Sequence, residues 1–77
     1  MILLKRCDLA KNMHRFYALQ VQPTLFGEWV LVAEWGRIGS PGRVQQTYFG
    51  SADLAEAALT KRRTVKTRRG YRAALTP

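Results

Sequence analysis

Leu25–Phe49, LFGEWVLVAEWGRIGSPGRVQQTYF, holds both tryptophans and the closest glycine spacing of the chain. From Glu28 the residues alternate, with Trp29, Leu31, Ala33, Trp35 and Arg37 on one side and Val30, Val32 and Ile38 on the other. The apolar run Val30–Ala33 therefore predicts a strand covered on both faces. Gly36, Gly39 and Gly42, with Pro41, break that strand and offer the positive-φ positions a tight reversal needs. A second strand, Arg43 to Phe49, returns. Trp35, Gly36, Arg37 and Arg43 thus gather an aromatic plate and fixed cations beside a turn with exposed backbone N–H groups.

The flanking segments fit around this hairpin. Ile2 to Cys7 alternates and predicts a first strand, Asp8 to His14 a connecting loop, and Arg15 to Gln22 a second strand with Arg15, Tyr17, Leu19 and Val21 on one face. Pro23-Thr24 stops it and Phe26-Gly27 turns the chain, which makes an antiparallel meander. After Gly50, Ser51 is placed to cap a helix whose first turns carry Asp53 and Glu56, where the helix dipole favours negative charge. Leu54, Ala55, Ala58, Leu59 and Val65 form a stripe that could cross a sheet face, and Gly70 lies where a helix stop belongs. Arg72 and Ala73–Leu75 either add an edge strand or hang free. The expected fold is α+β, an antiparallel sheet of about four strands with one helix packed across it.

At 77 residues the chain forms one domain, residues 1–77, of modest stability. Thirteen Lys+Arg against five Asp+Glu give a net charge of +8, which calls for a polyanionic partner. Cys7 is the only cysteine, so packing alone must hold the fold, and Cys7 itself is expected to be a small core residue. Met1-Ile2-Leu3-Leu4 is cut short by Lys5-Arg6, so no signal peptide is expected, nor any membrane partner; the expected address is the cytoplasm.

Enzymatic chemistry has little to stand on. One histidine, two aspartates and three glutamates are scattered, and no pair or metal-ligating set is recognisable. His14 reads as a solvated loop side chain. The glycine spacing lacks a P-loop lysine and joins two strands, so it is no nucleotide fingerprint. A non-enzymatic protein that needs no cofactor and no metal is expected.

The cations say more. Lys61, Arg62, Arg63, Lys66, Arg68, Arg69 and Arg72 fall within twelve positions. Dipole complementation accounts for a few of them, whereas a phosphate-rich partner accounts for all. Trp35 reads either as core or as a partly exposed platform for a sugar or base. Arg37 reads as a phosphate ligand or a hairpin strut, Trp29 as core, and Tyr17 and Tyr71 as packed rings whose hydroxyls could reach a phosphate.

Trp35-Gly36-Arg37-Ile38-Gly39 followed by Gly42 resembles the signature of the WGR domain, a small module of poly(ADP-ribose) polymerases that also occurs as stand-alone bacterial proteins. Arg15-Phe16-Tyr17 with Leu19-Gln20-Val21, Leu25-Phe26-Gly27-Glu28-Trp29, and Lys66 with Arg69-Gly70-Tyr71-Arg72 extend the likeness over nearly the whole chain. The resemblance implies that Trp35 and Arg37 meet a DNA end, preferentially a 5′-phosphorylated end or a nick, DNA rather than RNA, in a DNA damage response. His14 stands where the polymerases usually carry Asn, which weakens a phosphate contact there, and the catalytic domain that would transfer ADP-ribose lies outside the likeness. The reading is a monomeric nucleic-acid-binding module using Trp35, Gly36, Arg37, Arg43, Arg15, Tyr17, Lys61, Arg62, Lys66, Arg69, Tyr71 and Arg72. Its rival is a protein-interaction adaptor that docks a protein partner on Trp35 and Arg37.

Overall fold

A computed structural model describes residues 1–73. Five strands, β1 (Ile2–Asp8), β2 (Met13–Pro23), β3 (Trp29–Arg37), β4 (Arg43–Phe49) and β5 (Arg72–Ala73), make one antiparallel sheet in the order β4-β3-β2-β1-β5, and helix α1 (Ala52–Arg68) packs across it. Short reversals between alternating segments pair β2, β3 and β4 each with the strand before it, which gives the expected meander. The expected edge strand is present at Arg72–Ala73 and pairs with β1; Ala74 and Leu75 lie outside the described residues.

Asp8–His14 is more ordered than a loop. Asp8 Oδ1 accepts from the N–H groups of Ala10 and Lys11, which closes a single 3₁₀ turn over Leu9–Lys11, and Asn12 takes the left-handed conformation at φ 49°. β2 therefore starts at Met13. His14 is a strand residue, and its carbonyl accepts from the Ile38 N–H at 2.9 Å.

The register arranges side chains in rows across the helix-facing side. Leu4, Tyr17, Trp35 and Arg43 are successive cross-strand partners, and Ile2, Leu19, Ala33 and Gln45 form the next row. Leu4, Tyr17, Leu19, Leu31 and Ala33 are buried there with Leu59 and Tyr71. The predicted face of β2 is thus correct for Tyr17, Leu19 and Val21, while Arg15 runs past the helix and is exposed. Trp29, expected in the core, is only half-buried and outside this cluster, because it pairs with Pro23 and Phe49 near the end of the strand.

α1 begins as expected: Ser51 Oγ accepts from the Leu54 N–H at 3.2 Å. Its buried contacts are Ala55 and Leu59, with Ala58 half-buried. Leu54 is 59% exposed and Val65 38% exposed, so the expected stripe is corrected at both. Steps of four, three and four residues from Ala55 through Leu59 lead onward to Arg62 and Lys66, not Val65. At the far end the Gly70 N–H donates to Thr67 and the Tyr71 N–H reaches back to Lys66, a Schellman closure that requires the positive φ of Gly70, +99°. This reversal drives Tyr71 back into the core.

The second face of the sheet has no element packed on it among the described residues, so Val30–Ala33 is not covered on both sides. Val30 is buried, but Val44 and Tyr48 are 59% and 55% exposed. Cys7 lies on this open side and is exposed, which corrects its expected place in the core: the inward positions of β1 are Ile2, Leu4 and Arg6, and Cys7 is out of phase with them.

The turn glycines also differ from expectation. Only Gly39 has a positive φ, +89°. Gly36 and Gly42 are needed for close approach: a Cβ on Gly42 would sit 2.7 Å from the Trp35 carbonyl oxygen and 2.8 Å from Phe16 Cζ. Gly42→Ala should therefore cost about 1–3 kcal/mol in denaturant unfolding, since the clash is with backbone and an aromatic ring. Gly50→Ala meets nothing within 4 Å and should be close to neutral in the same assay.

Candidate nucleic-acid interface

Tyr17 and Trp35 stand directly opposite each other on β2 and β3, and their rings stack with centroids 5.6 Å apart and 13° between planes. Tyr71 meets Tyr17 edge-on at 6.1 Å. Above them Lys66 places its Nζ 4.7 Å from the Tyr17 ring centroid. Trp35 combines core packing with partial exposure. It packs against the core and remains half-buried at the lip of a cleft.

One row beyond this stack the helix no longer covers the sheet. The register sets Arg6 opposite Arg15 and Arg15 opposite Arg37, so three arginines share one cross-strand row. Like charges directly opposite each other are unfavourable. Arg15 and Arg37 are exposed and line a cleft of about 320 Å³ together with Trp35, Gly36 and Tyr71. Arg43 is exposed beside Trp35 on β4. Of the five acidic residues, Asp8 caps its 3₁₀ turn, Glu28 precedes β3, Asp53 and Glu56 are in the first turns of α1, and Glu34, exposed on β3 next to Trp35, is out of phase with it and faces the open side of the sheet.

The C-terminal basic cluster is divided among several surroundings. Arg62 points inward, with Nη1 donating to Tyr17 Oη at 3.3 Å and to Gln45 Oε1 at 2.9 Å. The Tyr17 hydroxyl, imagined as free for a phosphate, is thus occupied, and its side chain is 4% exposed. Tyr71 is buried as well, at 8%. Lys66 is half-buried over the rings, Arg69 is exposed at the helix end, and Lys61 is exposed about two turns before it. Arg72 pairs with Lys5, on the open side of the sheet away from the cleft. Arg6 is the residue that sequence reasoning missed. Alternation puts Arg6 in phase with Ile2 and Leu4, but only the pairing of β1 with β2 sets it opposite Arg15.

Among the described residues, no group of three or more His, Cys, Asp or Glu is placed to hold a metal ion, and no helix is long and apolar enough to cross a membrane.

The sequence matches the WGR domain over residues 1–76, and the chain belongs to that family. It is similar to a Sinorhizobium fredii (strain NBRC 101917 / NGR234) protein described as "Uncharacterized protein y4dW", with 38% identity over 69 residues, which is 90% of this chain and 34% of that protein. The chain thus spans about a third of the length of this relative. No solved structure matches it. WGR is a binding domain, and membership supports a nucleic-acid-binding role at the coarse level.

Burial, with the charges of Arg69 and Arg62 added to it, holds the Lys66 ammonium below the usual lysine pKa. The unfolded chain then keeps this proton to higher pH than the folded one. Stability should rise as pH climbs through the folded-state pKa toward the ordinary value, with the penalty fully present below it. Lys66→Met keeps the apolar stem and removes the charge. In urea unfolding, the difference in favour of Lys66→Met should be larger at about pH 7 than at about pH 10, and a difference flat with pH would contradict this account.

Proposed function

We propose that this chain binds DNA without catalysing a reaction, laying a phosphate backbone along the Arg15–Arg37 row with Arg43, Lys66 and Arg69 flanking it. The observation that carries this reading is the row itself. Exposed arginines held opposite one another by sheet register repel, and a polyanion that displaces their counterions turns that repulsion into binding energy. Trp35 stands beside them and lines the cleft, suited to a sugar or base at a strand end. The preference for a 5′-phosphorylated end or nick rests on the family likeness of Trp35-Gly36-Arg37. Contacts of this kind position a backbone and carry no sequence code, so little sequence preference is expected. The adaptor reading is less well supported, because cations surround Trp35 where a protein-docking patch would be apolar.

Trp35→Ala would remove a core stack as well as a platform, so the arginines are the cleaner probes. In anisotropy titrations of a labelled duplex with a 5′-phosphorylated end, wild-type affinity should fall steeply with salt. Arg15→Gln and Arg37→Gln should each lower the salt slope by about one, and the double variant should lose about tenfold or more in affinity at low salt. Circular dichroism should show the fold intact. A double variant that binds like wild type would overturn the reading, and an RNA duplex of the same sequence run alongside separates the two polymers.

A further inference from the structure

On the other side of the Trp35–Tyr17 stack, α1 stands away from the β3–β4 hairpin and leaves a second cleft of about 440 Å³. Leu31, Phe49 and Val65 give it an apolar lining, and Lys61 and Lys66 stand at its rim. It exists because the sheet-facing residue at position 58 is an alanine, too short to reach β4. One turn later Arg62 does span the gap, bonding Gln45 at 2.9 Å. Phe49 is left half-buried and Val65 38% exposed. No acidic residue lines the cleft.

An apolar lining under a pair of amines suits a ligand with a flat, uncharged body and an anionic shoulder. A purely apolar ligand would leave Lys61 and Lys66 unused, and a simple anion would leave Leu31 and Phe49 wet. The volume lies within the range of small-ligand pockets. We propose that this cleft takes one unpaired nucleotide at the end of a bound strand, its base against Phe49 and Val65 and its phosphate between Lys61 and Lys66. The proposal rests on the nucleic-acid reading given above. Continuity favours it: Trp35 lines the arginine cleft, Tyr17 lines this one, and their stacked rings, 5.6 Å apart, are the wall between them. The crowding of Lys66 by Arg62 and Arg69 is the kind of uncompensated charge that a phosphate relieves.

The test compares three duplexes of one sequence, blunt, with a one-nucleotide 5′ overhang, and with a one-nucleotide 3′ overhang, the terminal base in each being 2-aminopurine. Wild type should bind at least one overhang about fivefold or more tighter than the blunt end, with a change in 2-aminopurine emission. Ala58→Leu fills the cleft and should abolish both effects while blunt-end affinity stays. Val65→Asp, at a more exposed position, should do the same if Ala58→Leu fails to fold. Equal binding of blunt and overhung duplexes, or an overhang preference that survives both variants, would overturn the proposal while leaving the nucleic-acid reading standing. Absence of binding to any duplex would overturn both.

Discussion

The stacked Tyr17–Trp35 pair is the contact on which the other features depend. It ties β2 to β3 on the buried side, gives Tyr71 an edge to pack against, and supplies the ring over which Lys66 sits. Arg62 holds the same Tyr17 by its hydroxyl and joins helix to sheet through Gln45. A small domain with no disulfide has few ways to fix a helix end, and here aromatic area and one bridging arginine serve that purpose. The consequence is positional: the covered part of the sheet stops at this row, and in the next Arg15 and Arg37 are left open while Arg6 is half-buried beside Gly70.

Stability and binding therefore meet at one boundary. On the core side, Leu4, Leu19, Leu31 and Ala33 are sealed by Ala55 and Leu59. On the other side, arginines are held at fixed spacing by backbone pairing, which keeps them from spreading as flexible surface chains would. Fixed repulsion of this kind weakens a domain that is already small. A protein gains from it only when a partner of opposite sign is present.

Much of the fold was legible because its signals are local. Period-two alternation marked Ile2–Cys7, Arg15–Gln22, Trp29–Arg37 and Arg43–Phe49; Ser51 marked the helix start and Gly70 its end. What was hidden depends on partners distant in sequence. Cys7 is a burial-prone residue type placed on the open side by the phase of β1, and Val30–Ala33 looked sealed on both faces because apolar content does not reveal how many layers a sheet has. Gly36 and Gly42 were recognised as turn glycines, yet they are needed because they approach each other closely and because Gly42 lies against the Trp35 carbonyl and the ring of Phe16, twenty-six residues upstream of Gly42. The candidate site was legible in kind, as a basic and aromatic surface near Trp35-Gly36-Arg37. Its membership was not: Arg6 enters through register, and Arg72 leaves because its partner Lys5 lies on the other face.

The molecule measures 45 × 24 × 23 Å. The eleven residues of β2, at about 3.3 Å each, exceed either short dimension, so the strands run along the long one. Glu28, Asp53 and Glu56 stand near one end of the strands, while Arg6, Arg15, Arg37, Arg43 and Arg69 stand near the other, where Asp8 and Glu34 offset only part of their charge. The protein thus carries an electric dipole parallel to its strands, superimposed on its net charge. In the field of a polyanion it is rotated before it touches, arginine row first, and added salt removes that orienting torque along with the attraction.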